Sequence, residues 1–178
     1  MKVLPNFILL ALLAGVLTCC HTEDKKGFLH YRDISRYSSY GQNVNDWENV
    51  FSKPQFDQLD SIIREFEIST SLQVSIVTVG DASPYTTLKD FGNDLKNYWK
   101  QDKVRGNCDI LIVFSAHMRN VWIGASPEVH NLLSDKVLQQ IINTNMVPYF
   151  KQQDYFGGIE SGLLQCFRYW VNGKVSIK

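Results

Sequence analysis

The chain has 178 residues, 44% of them apolar and 12% aromatic, which suffices for one folded domain with a real core plus a leader. Eighteen basic residues balance eighteen acidic ones, so no basic block marks nucleic acid as a partner and no polybasic patch draws the chain onto an anionic membrane. Any attachment to a membrane must come from the N-terminus.

Lys2 gives that terminus a positive start, and Phe7 to Leu17 is a continuous apolar run. The run is short for a spanning helix, which needs about 20 residues, and suits the apolar region of a signal peptide. Leu17-Thr18-Cys19-Cys20 follows it and resembles a bacterial lipobox. That resemblance makes residues 1–20 a lipoprotein signal ending in the lipidated Cys20, with Cys19 as runner-up. A plain secretory signal cut near Cys20 is the simpler alternative. Each buried CH₂ of an acyl anchor adds about 0.8 kcal/mol, so a multi-acyl anchor would hold a small domain firmly. Residues 21–43 are polar and mixed, without a clear period, and read as a tether. The folded domain is expected over residues 44–172.

Ser52-Lys53-Pro54-Gln55 is a capping-box start with Pro early in the first turn. Phe56, Leu59, Ile62, Ile63 and Phe66 then recur on one helical face. Leu72 to Val79 reads as a strand. Thr87 with Asp90 caps a second helix that buries Leu88, Phe91, Leu95, Tyr98 and Trp99. Ile110 to Phe114 is an unbroken apolar run, as a strand buried on both faces would be. A short turn leads to Asn120–Ala125, its antiparallel hairpin partner. Ser134 opens a third helix, with Val137, Leu138, Ile141 and Ile142 inward, and Pro148 ends it. Asp154 caps a last helix that buries Tyr155, Ile159, Leu163, Cys166 and Trp170. Gly157, Gly158 and Gly162 weaken that helix, by about 1 kcal/mol each relative to Ala, and are expected to allow close packing on the sheet. The order is α-β-α-β-β-α-α. The fold class is α/β, a small mixed β-sheet flanked by helices on both faces, with the strand–helix–strand part forming a parallel crossover.

Cys108 and Cys166 have no zinc spacing, since there is no C-x-x-C and no paired His. They read as two buried thiols in preference to a disulfide.

Several segments together resemble the TPM domain family. Val44-Asn45-Asp46 and Phe51-Ser52 resemble its start, and Gln73 to Val79 its first long strand. Gly106-Asn107-Cys108-Asp109 followed by Ile110 to Val113 is similar to its Asn-Gly turn into the central strand. Arg119 and Gly124 fall where the family opens and closes the next strand. Glu128 and Asp135 match an acidic pair, and Pro148-Tyr149-Phe150 with Asp154-Tyr155 and Gly158 match its last segment. The likeness covers Val44 to Trp170. It departs from the family at Cys108 and Ser126, which replace glycines, and at two extra residues before Asp135. It implies an extracytoplasmic, membrane-tethered α/β sandwich. Some members have been assigned calcium binding and acid phosphatase activity.

Chain direction adds a site of its own. Asn107 and Asp109 enter the central strand, while Glu128 follows the exit of its antiparallel neighbour and Asp135 comes soon after. These four, with Ser126 nearby, are expected at one end of the sheet as oxygen ligands of a cation such as Ca²⁺. Asp46 joins them only if residues 44–50 run extended back toward that end. The plainer alternatives are a first-turn acid at Asp135, a turn cap at Asn107 and a solvated Glu128. Arg119 is expected at the opposite end with His117 and Asp81, in a structural ion pair. No residue is assigned a catalytic role. The expected function is a tethered accessory or binding protein of the cell envelope, on its periplasmic or outer-surface side, capable of binding calcium and partnered by a membrane-associated protein. The alternative is a metal-assisted acid phosphatase acting on phosphomonoesters. No cysteine-phosphatase loop, D-x-D pair, G-x-S-x-G elbow or Walker loop is present to support it.

Overall fold

The computed structural model describes Ile34, Tyr37 and residues 42–102 and 108–175. The leader, Cys19, Cys20 and Asn107 lie outside the described residues. Four strands form one sheet in the order β1-β2-β3-β4: β1 (Val44–Asp46), β2 (Val74–Thr78), β3 (Ile110–Ser115) and β4 (Asn120–Ala125). β1 and β2 are parallel, β2 and β3 are parallel, and β3 and β4 form the antiparallel hairpin. The helices are α1 (Lys53–Thr70), α2 (Leu88–Asp102), α3 (Pro127–His130), α4 (Asp135–Ile141), α5 (Val147–Phe150) and α6 (Tyr155–Val175), with a π turn, Ile142–Met146, between α4 and α5.

The pleat of β3 explains the layering. Successive side chains of a strand point to opposite faces. Ile110, Ile112 and Phe114 enter a core with α1, α4 and α6, while Leu111 and Val113 enter a second core with α2. All six residues of β3 are buried, so helices flank both faces as the apolar run implies. The inward stripes of α1 and α2 are the expected ones: Leu59, Ile63 and Phe66 are buried on α1, and Leu88, Phe91, Leu95, Tyr98 and Trp99 on α2.

The caps also follow the sequence. The Ser52 N–H donates to Gln55 Oε1 at 2.9 Å, and α1 ends at Ser71, whose φ of 61° is left-handed and whose N–H reaches the Glu67 carbonyl. The Asp90 N–H donates to Thr87 Oγ1 at 3.1 Å, and the Gly157 N–H donates to Asp154 Oδ1 at 2.9 Å.

Four features differ from the sequence reading. The domain opens on a strand, so the order is β-α-β-α-β-β followed by helices. Pro148 does not end the third helix. The chain widens into the π turn, where the Val147 N–H donates to the Ile142 carbonyl five residues back, and Pro148 passes through the next turn without an amide to satisfy. Gly158 and Gly162 serve close packing, but against the segment from Met146 to Phe150, not the sheet. A methyl at Gly158 would collide with Phe150, and one at Gly162 would lie 2.6 Å from the Met146 side chain. Within the stretch read as a tether, Ile34 and Tyr37 are buried in the second core, and the Tyr37 ring meets Phe91 edge-on at 5.0 Å.

Cys108 sits in the second core and Cys166 in the first, both buried and neither in a disulfide. The sheet separates them. Burial pushes the Cys166 thiol up to about 12. Among the described residues, no helix is long and apolar enough to cross a membrane.

Trp122 projects from β4 toward α2. Methyl groups at Gly92 and Gly124 would both collide with its indole, so these two glycines make the slot for the ring. Gly92→Ala is expected to lower stability by about 1–3 kcal/mol through overpacking. In a Trp122→Leu background most of that cost should vanish, and a double-mutant cycle by urea denaturation reads the coupling.

Candidate functional site

The hairpin register places Ile110 opposite Ala125 and Ser115 opposite Asn120. The entrance of β3 and the exit of β4 therefore share one rim of the sheet. The turn between these strands, with the ends of β1 and β2, makes the other.

Asp109 is the bend residue that opens the first rim. Its Oδ2 accepts the Gln73 N–H at 2.8 Å and its Oδ1 accepts the Ser126 hydroxyl at 2.9 Å. The backbone repeats the link: the Asp109 N–H donates to the Gln73 carbonyl, and the Ser126 N–H to the Asp109 carbonyl, both at 2.7 Å. One residue thus ties the start of β2, the start of β3 and the end of β4. Ser126, which stands where the family likeness has a glycine, is buried and supplies the hydroxyl for this link.

Glu128 follows in the first turn of α3. A hydrogen bond from its own backbone N–H, then one from Ser126, hold its carboxyl below the usual carboxylate range; desolvation opposes them, and attraction to Lys100 and Lys96 adds less. The Ser126 hydroxyl, which donates to Asp109, thus lies close to both carboxylates. Lys96 reaches this rim from α2. Burial lowers its pKa, and the nearby carboxylates of Asp109 and Glu128 oppose that shift. Lys96, Lys100, Cys108, Ser126 and Glu128 line a cavity of about 210 Å³ here.

Of the five expected cation ligands, the structure brings Asp109 and Glu128 together around Ser126. Asp135 stands apart, 79% exposed, with Oδ1 3.6 Å from His130 Nε2 and Oδ2 4.0 Å from Lys89 Nζ. It is the ordinary first-turn acid of α4. Asn107 lies outside the described residues. Asp46 is at the opposite rim, because β1 pairs parallel to β2 with Asp46 beside Thr78. Among the described residues, no group of three His, Cys, Asp or Glu side chains is placed to share a metal ion.

At the opposite rim, Asp46 accepts the Val50 N–H at 3.1 Å and the Thr78 hydroxyl at 2.6 Å on Oδ1, and the Phe51 N–H at 2.9 Å on Oδ2. Glu48 accepts the Ala116 and His117 N–H groups at 2.9 and 2.8 Å, and its own N–H donates to Thr78 Oγ1. Sequence reasoning missed Glu48 and Thr78. The available signal was the alternation of Asp46 and Glu48 just past a strand end. The expected ion pair of Arg119 with Asp81 does not form: Asp81 accepts the Ser83 N–H, and Arg119 turns toward a separate cavity.

The TPM domain model matches residues 44–169. The fold resembles the N-terminal domain of a protein from P. gingivalis, with a TM-score of 0.68 at 22% identity over 80% of this chain and 90% of that one. It also resembles the N-terminal domain of the cg2496 protein from Corynebacterium glutamicum, with a TM-score of 0.55 at 14% identity over 75% of this chain and 82% of that one. No curated protein matches the chain. The family model covers well over half the sequence, from the first strand to the last helix, and the chain belongs to the TPM domain family.

Proposed function

We propose that this TPM domain is a non-catalytic binding module, held on the extracytoplasmic side of a membrane by a lipid on Cys20 and docking on a membrane-associated protein. The observation that supports this reading is the use the fold makes of its acids. Asp46 and Asp109 each accept hydrogen bonds from neighbouring protein groups on both carboxylate oxygens. A general base must face the proton it abstracts, and a metal ligand must face the ion. These two carboxylates face neighbouring strands and loops instead.

The calcium ion implied by the family likeness fits these residues poorly. Among the described residues, Asp109, Ser126 and Glu128 offer three oxygen-bearing side chains, whereas Ca²⁺ takes about six to eight oxygens. Lys96 and Lys100 line the same cavity and repel a cation. A metal-assisted phosphatase would need that cation to polarise phosphate and activate water.

Calorimetry should give no saturable heat with Ca²⁺ up to about millimolar, the weak end of extracellular calcium sites. A generic phosphomonoester should not turn over with or without Ca²⁺ or Mg²⁺. Hydrolysis that Asp109→Asn and Glu128→Gln abolish in folded protein would restore the enzyme, and saturable Ca²⁺ binding that they abolish would restore the calcium site. The structural role of Asp109 has its own readout: Asp109→Asn replaces one acceptor with an amide facing a donor and should cost about 1–3 kcal/mol in urea denaturation. For the anchor, the expressing cell fed an alkyne-tagged fatty acid should label the wild-type chain and not Cys20→Ala. Equal labelling of the two would reject Cys20 as the lipidated residue.

A further inference from the structure

A second cavity, of about 550 Å³, opens between the β3–β4 turn and the segment from the π turn to the start of α6. It lies at the rim opposite Asp109 and Glu128, so nothing in the proposed docking role depends on it. Its volume is that of a small-molecule pocket.

The floor is aromatic. Phe114 from β3 stands 4.9 Å from the Phe150 ring and 5.3 Å from the Tyr155 ring, centroid to centroid. Val121, Ile142 and Val147 add aliphatic walls. The charged side chains lining it are Arg119 and Lys151, both cations, and no carboxylate lines it among the described residues. In a chain with equal numbers of acids and bases, this is a local excess of positive charge over an apolar floor. Neither cation forms an ion pair with a described residue.

The backbone around the cavity is unusual on both sides. Arg119 has a φ of 50°, in the left-handed region that Arg seldom adopts, and its N–H closes the turn on the Ala116 carbonyl at 3.2 Å. Gln153, on the facing wall, has a φ of 62°. The π turn from Ile142 to Met146 contributes Ile142, and such turns recur at binding sites. Local strain of this kind persists where the surrounding structure holds it in place.

We propose that this cavity binds a small amphipathic carboxylate. Its acyl or aryl body would pack on Phe114, Phe150 and Tyr155, and its head would meet Arg119 and Lys151. The apolar floor selects the body, and the two cations select against a neutral head.

Isothermal titration of the purified protein with decanoate, and with decanol as the neutral match, tests both halves. Decanoate should bind saturably and decanol far more weakly. Arg119→Gln combined with Lys151→Gln should weaken decanoate about tenfold or more, because charge-assisted hydrogen bonds are lost, while leaving decanol unchanged. Val147→Trp, folded by circular dichroism, should fill the cavity and remove decanoate binding. Absence of saturable decanoate binding to the wild-type protein would overturn the site. Equal binding of decanol, or a charge-deleted variant that binds decanoate like wild type, would overturn the assignment of an anionic head. Undiminished binding to the Val147→Trp variant would place the ligand elsewhere.

Discussion

β3 has no exposed face, and the rest of the domain is arranged around that fact. A strand buried on both sides needs an apolar partner layer on each, and Ile110 to Ser115 obtains one from α1, α4 and α6 and the other from α2. It also needs a strand on each edge to pair its backbone groups, since an unpaired buried amide is costly. β2 supplies one edge in parallel and β4 the other in antiparallel. Once these pairings are set, the two rims of the sheet are set as well. One collects Asp109, Ser126 and Glu128, and the other collects Asp46, Glu48, Thr78 and the hairpin turn.

The two rims use their acids in the same way for different joints. At the β3 entrance, the Asp109 carboxylate and backbone together hold three strand ends. At the other rim, Asp46 folds the chain after β1 back toward α1, while Glu48 clamps the hairpin turn. Hydrogen bonds to an ionised acceptor are stronger than neutral ones, which suits joints where the backbone leaves the ladder and loses its regular partners. Open α/β sheets often bind ligands beyond the carboxyl ends of their parallel strands, at a point where the strand order reverses. Here the order runs β1-β2-β3-β4 without a reversal, and Asp46 and Thr78 bond to each other and to the chain's own loop at that edge. Acidic residues near strand ends therefore report loop architecture here before they report chemistry.

This explains what could and could not be read in advance. The apolar run of β3, the stripes of α1 and α2, the caps at Ser52, Thr87 and Asp154, and the hairpin were legible because each is a local pattern with a period or a turn signal. β1 was not, because three residues, two of them polar, carry no period; pairing with β2 makes Val44–Asp46 a strand. The π turn was not, because a proline in a helical pattern ordinarily reads as a stop. The meeting of Asp109 with Ser126 and Glu128 followed from chain direction alone. Chain direction alone puts the start of α1, and with it Asp46, at the far rim, and the parallel pairing of β1 with β2 fixes it there beside Thr78. The roles of Ile34 and Tyr37 were hidden because their partners, Phe91 among them, lie far along the chain.

The departures from the family likeness also acquire physical content. Where the likeness has a glycine, Ser126 places a hydroxyl beside two carboxylates and donates its proton to Asp109. Cys108, at the other replaced glycine, is buried in the second core with its thiol donating to the Ile110 carbonyl at 3.3 Å. Both substitutions add side-chain atoms to a rim where glycines would leave room for close approach to the backbone. Lys96 further fills the space between them, half-buried and facing Asp109 and Glu128. Among the described residues, this rim therefore sets the carboxylates of Asp109 and Glu128 beside the ammonium groups of Lys96 and Lys100. Among the described residues, a cation at this rim would meet those two ammonium groups as well as the carboxylates, and the Asp109 oxygens there already accept protein donors.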